Sequence, residues 1–135
     1  MKQIPKEETE QKTLVQWLRI KKIIHIAPMN ENLQSSTNKL MAIRIEAKAK
    51  AMGKSAGVPD LFIPIANKYY HGLFIELKRR AKILKSGKKS VSHTKVSDAQ
   101  NEWIQSLRHQ NYEAVVCYGW EEAKEIIEEY MLQVH

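Results

Sequence analysis

Two short apolar runs, "DLFIPI" and "GLFIELK", carry charges that a buried strand has no packing reason to hold: Asp60 in the first, Glu76 and Lys78 in the second. Side chains alternate along a strand, so Leu73, Ile75 and Leu77 share one face and Phe74, Glu76 and Lys78 the other. If the runs pair as a hairpin across "ANKYYH", Asp60 lies near the Glu76 end of its partner. Two carboxylates and an ammonium then converge at one sheet edge. That trio suits phosphodiester hydrolysis. The carboxylates of Asp60 and Glu76 can hold a hard divalent cation such as Mg²⁺, with the backbone carbonyl of Leu77 as a further oxygen ligand. The cation polarises phosphate and acidifies water. Lys78 can orient or deprotonate that water, or stabilise charge on the phosphoryl oxygens. The plainer alternative is a solvated sheet face with an ion pair.

The flanking chain supplies elements to position such a site. "EETEQKTLVQWLRI" reads as a helix with acids in its first turn, as the macrodipole prefers, and an apolar stripe through Leu14, Val15, Trp17 and Leu18. "KIIHIAP" reads as a short strand closed by Pro28, and "MNENLQSS" as a loop. "STNKLMAIRIEAKAKAMG" is a second helix, with a Ser/Thr/Asn cap cluster before it and Gly53 as its stop. The two charged strands follow. Residues 79–96 read as a basic, mobile loop. "SDAQNEWIQSLRHQN" is a helix whose Ser97 and Gln100 have capping-box spacing and whose Asn111 suits a left-handed stop. A strand, "YEAVVCYG", and an amphipathic helix, "WEEAKEIIEEYMLQ", complete one domain over 1–135. The order is that of an α/β fold: a mixed sheet with helices on its faces.

Charge is distributed unevenly. Residues 1–96 hold 20 Lys/Arg against 7 Asp/Glu, and residues 97–135 hold 2 against 8. One surface therefore attracts a polyanion, with nucleic acid ahead of an anionic membrane, because the densest basic run lacks an amphipathic helical pattern. Arg79, Arg80, Lys82, Lys85, Lys88, Lys89 and Lys95 follow the proposed active strand with no acid between Glu76 and Asp98. They are expected to contact nucleic-acid phosphates, helped by Lys50 and Lys54 beside the "GVPD" turn. The five histidines show no paired metal-ligand spacing, which argues against zinc. The lone Cys117 sits in an apolar run and suits a reducing, intracellular setting. No apolar stretch is long enough to span a membrane, and the first twelve residues have no signal-peptide core.

"PD" followed by "ELK" matches the Pro-Asp…Glu-x-Lys signature of the PD-(D/E)XK nucleases. More narrowly, "EQKTLVQWL", "KAMGKSAGVPDLFIPI", "GLFIELKR" and "VSDAQNEWIQSLRHQNYEAVVCYGWEEA" resemble, in order, the blocks of the VRR-NUC subfamily. The resemblance implies a restriction-endonuclease-like αβββαβ core, here with an extra helix after the first strand and a C-terminal helix. It implies DNA cleavage with Mg²⁺, Mn²⁺ substituting, and no small-molecule cofactor. Asp60 and Glu76 correspond to metal ligands, Lys78 to the catalytic lysine, and Gln100 to a supporting motif glutamine. The first helix supplies a further carboxylate in this family, with Glu10 the best match and Glu7, one turn earlier, the alternative. Standalone members resemble Holliday-junction resolvases, so branched or double-stranded DNA is the expected substrate and a homodimer the expected assembly, in a phage or mobile-element setting. A flap or nicking nuclease, or a non-catalytic DNA-binding protein on the same fold, are the rival readings.

Overall fold

The computed structural model describes residues 3–28 and 38–135. The loop expected over 29–36 lies outside the described residues. Apolar alternation yields two neighbouring strands, β1 (Leu61–Ile63) and β2 (Leu73–Lys78), paired antiparallel with Leu61 opposite Ile75 and Ile63 opposite Leu73. Pro64 has no N–H to donate, so β1 stops there. On the other side of β2 runs a parallel strand, Glu113–Tyr118, in register from Leu73 with Glu113 to Lys78 with Tyr118.

The strand expected in "KIIHIAP" is reduced to one bridge, Ile26 with Phe62, sharing two hydrogen bonds of 2.8 Å. It cannot extend because Lys22 takes a positive φ of 56° just before it and Pro28 cannot donate after it. Ile24 and Ile26 are left exposed at this edge.

Helix α1 (Glu7–Ile20) and the C-terminal helix (Trp120–Met131) cover one face of the sheet. Leu14 and Leu18 from the first, and Ala123, Ile127 and Tyr130 from the second, close over Leu61, Ile63, Leu73, Ile75, Leu77 and Cys117. Burial pushes the Cys117 thiol up to about 12, so it behaves as a small apolar residue. The opposite face carries Phe62 stacked on Phe74 at 4.2 Å, with Tyr112 edge-on to both. This pair occupies the close, non-hydrogen-bonded register, where cross-strand contact is tightest.

Helix α2 (Lys39–Ala51) is capped by Asn38, whose side chain accepts from the N–H groups of Leu40 and Met41. It buries no residue. Residues 79–96, expected as a loop throughout, instead contain a hairpin of β3 (Lys82–Ile83) and β4 (Lys89–Ser90). Gly87 makes this possible with a φ of 84°, closing a turn in which Leu84 N–H reaches the Lys88 carbonyl and Gly87 N–H the Leu84 carbonyl, both at 2.8 Å. Helix α3 (Asp98–His109) packs on the Glu113–Tyr118 strand, β5, and the C-terminal helix is α4. The capping box on α3 forms, and Asn111 stops that helix at a φ of 64°.

Candidate active site

Asp60 follows the buried Pro59 and precedes β1. Extending the β1–β2 register by one residue sets it opposite Glu76. Its Oδ2 accepts the Leu77 N–H at 2.7 Å, so a side chain takes the place of a backbone acceptor at the end of the ladder. The Leu77 carbonyl leaves the strand on the side of its N–H, toward Asp60.

Glu76 is 2% exposed and Lys78 6%, so neither sits on a solvated face. Gln100 Nε2 donates to Glu76 Oε1 at 2.7 Å, and Lys78 Nζ lies 3.7 Å from the same oxygen. The other carboxylate oxygen, Oε2, is buried and accepts no hydrogen bond, while the Asp60 carboxyl lies close enough to share a proton with Glu76. Burial, followed by the charge of Asp60, pushes the Glu76 carboxyl up to about 8. The Asp60 carboxyl is raised too, chiefly by burial and against the Leu77 hydrogen bond.

Gln100 does two jobs with one amide. Its Oε1 accepts from Ser97 N–H at 2.9 Å to complete the capping box, which leaves its Nε2 for Glu76. The start of α3 is held against the "GVPD" turn by Trp103, whose indole N–H reaches the Ala56 carbonyl at 3.1 Å. Gly57 (φ 85°) permits this approach, since a Cβ there would sit 2.5 Å from the Ala99 carbonyl carbon.

Asp60, Glu76 and Gln100 open into a cleft of about 330 Å³, whereas Lys78 is not among its walls and reaches it only beside Glu76. Its walls are Glu7 of α1, Glu46 and Lys50 of α2, Lys54, the turn 55–58, Asp60, Glu76 and Gln100. Lys54 pairs with Glu46 at 2.9 Å, and Lys50 is exposed at the wall. Glu46 gave no signal in the sequence, being a single acid on a helix with no motif around it.

The two first-helix acids, Glu10 and Glu7, face different surroundings. Glu10, expected beside the metal, does not line the cleft and is 1% exposed. Its Oε1 takes two hydrogen bonds from Arg80, at 2.6 and 3.0 Å, and its Oε2 accepts the Trp120 N–H at 2.6 Å. Gly119, at the α4 N-cap, has no side chain to cap the helix, so Glu10 does so from α1. Glu7 is the acid that faces the cleft, where its charge helps raise both Asp60 and Glu76 and Thr94 Oγ1 donates to it at 3.2 Å.

The two arginines expected at phosphates have partners within the chain. Arg79 donates to the carbonyls of Pro5 and Ile4 at 3.1 and 2.6 Å, and Arg80 is bound to Glu10. Both guanidiniums fasten the N-terminal segment to the exit of β2. Lys82, Lys85, Lys88 and Lys89 are exposed on the hairpin, and Lys95 is exposed beyond it.

The donor set fits a hard divalent cation. Two carboxylates made costly to ionise by burial, one of them with an oxygen that no donor reaches, and a strand carbonyl aimed the same way leave a local demand for positive charge. Among the described residues, no group of three or more His, Cys, Asp or Glu forms a metal cluster. Two protein carboxylates suit Mg²⁺, which keeps several waters and takes other oxygens from phosphate.

The family model for the VRR-NUC domain matches residues 5–121. A solved structure described as a VRR_NUC domain protein is 27% identical with a TM-score of 0.68, over 99% of this chain and 93% of that one. No curated protein matches the chain.

Proposed function

Because this chain belongs to the VRR-NUC domain family, and so carries a nuclease fold, we propose that it is a Mg²⁺-dependent endodeoxyribonuclease acting on branched DNA in the manner of a Holliday-junction resolvase. The observation that carries the reading is Glu76 Oε2, a buried carboxylate oxygen that no donor reaches, facing a second raised carboxyl. Asp60 and Glu76, with the Leu77 carbonyl, would hold the cation. When bound, the cation supplies charge neutralisation at the scissile phosphate and lowers the pKa of nearby water.

The remaining roles belong to the chain itself. Gln100 fixes the Glu76 carboxylate by its 2.7 Å hydrogen bond, leaving Oε2 for the cleft. Lys78, held within 3.7 Å of Glu76, hydrogen-bonds the attacking water or the phosphoryl oxygen on which charge grows. Glu7 adds negative charge at the mouth and can accept a hydrogen bond from a water in the cleft. Lys50 and the hairpin lysines contact phosphates on either side.

Paired cuts across a junction need two sites, so this reading includes a homodimer. A structure-specific flap or nicking nuclease is the second reading, since the cleft and its lysines set no requirement for a four-way junction. Labelled four-way junction, flap, duplex and single-stranded DNA, each with Mg²⁺ and with EDTA, separate them. Symmetric Mg²⁺-dependent cuts in the junction support resolution, and single cuts in a flap support the second reading. Binding without cutting in Mg²⁺ or Mn²⁺ refutes both.

A further inference from the structure

The β3–β4 hairpin contributes nothing to the core, yet its shape is specified. Its turn is closed by two backbone hydrogen bonds and a glycine at positive φ, and nothing lies within 4 Å of where a Gly87 Cβ would point. The glycine is therefore there for the turn and not for lack of room. The far end is tied down: His93 Nε2 donates to the Arg80 carbonyl at 3.1 Å, and Thr94 donates to Glu7 in the cleft. Two-stranded hairpins are marginal alone, so these ties matter.

On this small scaffold Ile83 is 76% exposed and Leu84 48%, among Lys82, Lys85, Lys88 and Lys89. Phosphate binding needs only the lysines. The apolar pair calls for an apolar partner within reach of a polyanion. DNA offers one where stacking is interrupted and the face of a base pair is uncovered, and proteins that open DNA use aliphatic wedges against such faces.

We propose that the β3–β4 hairpin is a branch-point probe: Ile83 and Leu84 pack against the uncovered base pair at a DNA branch while the surrounding lysines hold the flanking phosphates. This rests on the deoxyribonuclease reading of the cleft. It also sets a distance. Ile83 lies five residue steps after Lys78. At about 3.5 Å each they span at most about 18 Å, the rise of about five base pairs, so cuts fall within about five nucleotides of the branch.

The test measures binding in EDTA to a four-way junction and to an uninterrupted duplex of equal length, with 2-aminopurine in the branch-adjacent pair. Wild type should favour the junction and brighten the probe. The double variant Ile83→Ser/Leu84→Ser should lower the junction-to-duplex affinity ratio by about five- to tenfold, the scale for two partly buried aliphatic side chains. Its salt slope should be unchanged, because the lysines remain. Ile83→Trp, with a larger stacking face, should brighten the probe further. Both sites are exposed, so a melting temperature equal to wild type establishes that the variants are folded. If wild type cuts DNA with Mg²⁺ but the serine pair changes neither ratio nor probe signal, the hairpin proposal fails alone. If wild type neither binds nor cuts any DNA, the nuclease reading fails with it. Should the serine pair abolish binding to phosphatidylglycerol vesicles and leave the junction ratio intact, the hairpin is a membrane probe and the proposal is overturned.

Discussion

Glu76→Gln should stabilise the metal-free protein at alkaline pH. The buried Glu76 has an ordinary carboxyl value of 4.5 raised to about 8, first by burial and then by Asp60. The folded state therefore binds the Glu76 proton more tightly than the unfolded state does. Its stabilising contribution is complete below pH 4.5 and is lost as pH rises through about 8. At about 1.36 kcal/mol per pH unit, the full span gives a ceiling of about 5 kcal/mol. Asp60 shares the proton affinity and the site can relax, so about 2–3 kcal/mol is the working expectation. Glutamine keeps the shape and removes the charge; its carbonyl can accept from Gln100 while its amide nitrogen points toward Asp60. In EDTA, the difference in unfolding free energy between variant and wild type should grow from pH 5 to pH 8.5. The variant should then melt about 6–12 °C higher. At the proposed cation site Mg²⁺ would replace the proton, so it should stabilise wild type more at pH 8.5 than at pH 6 and stabilise the variant much less. A wild type with no such loss in EDTA, or a variant less stable than wild type at pH 8.5, would refute the claim that Glu76 is a strained carboxylate awaiting a cation.

Glu10→Ala should cost about 3–5 kcal/mol in urea denaturation, because it leaves Arg80 and the first N–H of α4 without their buried partner. Glu7→Ala should cost less than about 1 kcal/mol yet slow DNA cutting at least about tenfold, separating the two acids by stability and rate. Gly57→Ala combines a positive φ with a clash against Ala99, so it should destabilise by more than about 1 kcal/mol and slow cutting by moving Gln100 away from Glu76. Lys88→Ala/Lys89→Ala should reduce the slope of log affinity against log salt by up to about two; an unchanged slope would mean that neither lysine meets a phosphate.

The parts legible in the sequence were those whose cause is local. Alternation in "GLFIELK" fixed which face Glu76 and Lys78 share, the Ser97–Gln100 spacing placed the start of α3, and Asn111 marked its end. What was not legible needed knowledge of distant neighbours. Glu7 and Glu10 lie three residues apart on one side of a helix, and only the packing of α4 decides that Glu10 caps Trp120 while Glu7 meets the cleft. Arg79 and Arg80 read as the head of a basic run, but their partners are 70 or more residues earlier in the chain. Ile24 and Ile26 have strand character, yet a sheet edge bounded by Lys22 and Pro28 leaves room for one bridge. The hairpin strands are two residues each, too short for alternation to show, and Gly87 was their only local sign.

The central claim is that Asp60, Glu76 and Lys78 form a cation-dependent site that cuts DNA, and single-turnover cleavage by Glu76→Ala tests it most directly. Junction binding is measured in EDTA and cutting in Mg²⁺ under saturating protein. The expected result is binding near the wild-type level with cutting slowed by at least about a thousandfold, the scale for losing a ligand that positions a catalytic cation. Cutting at the wild-type rate by the folded variant would contradict the claim and send the search for the active site elsewhere.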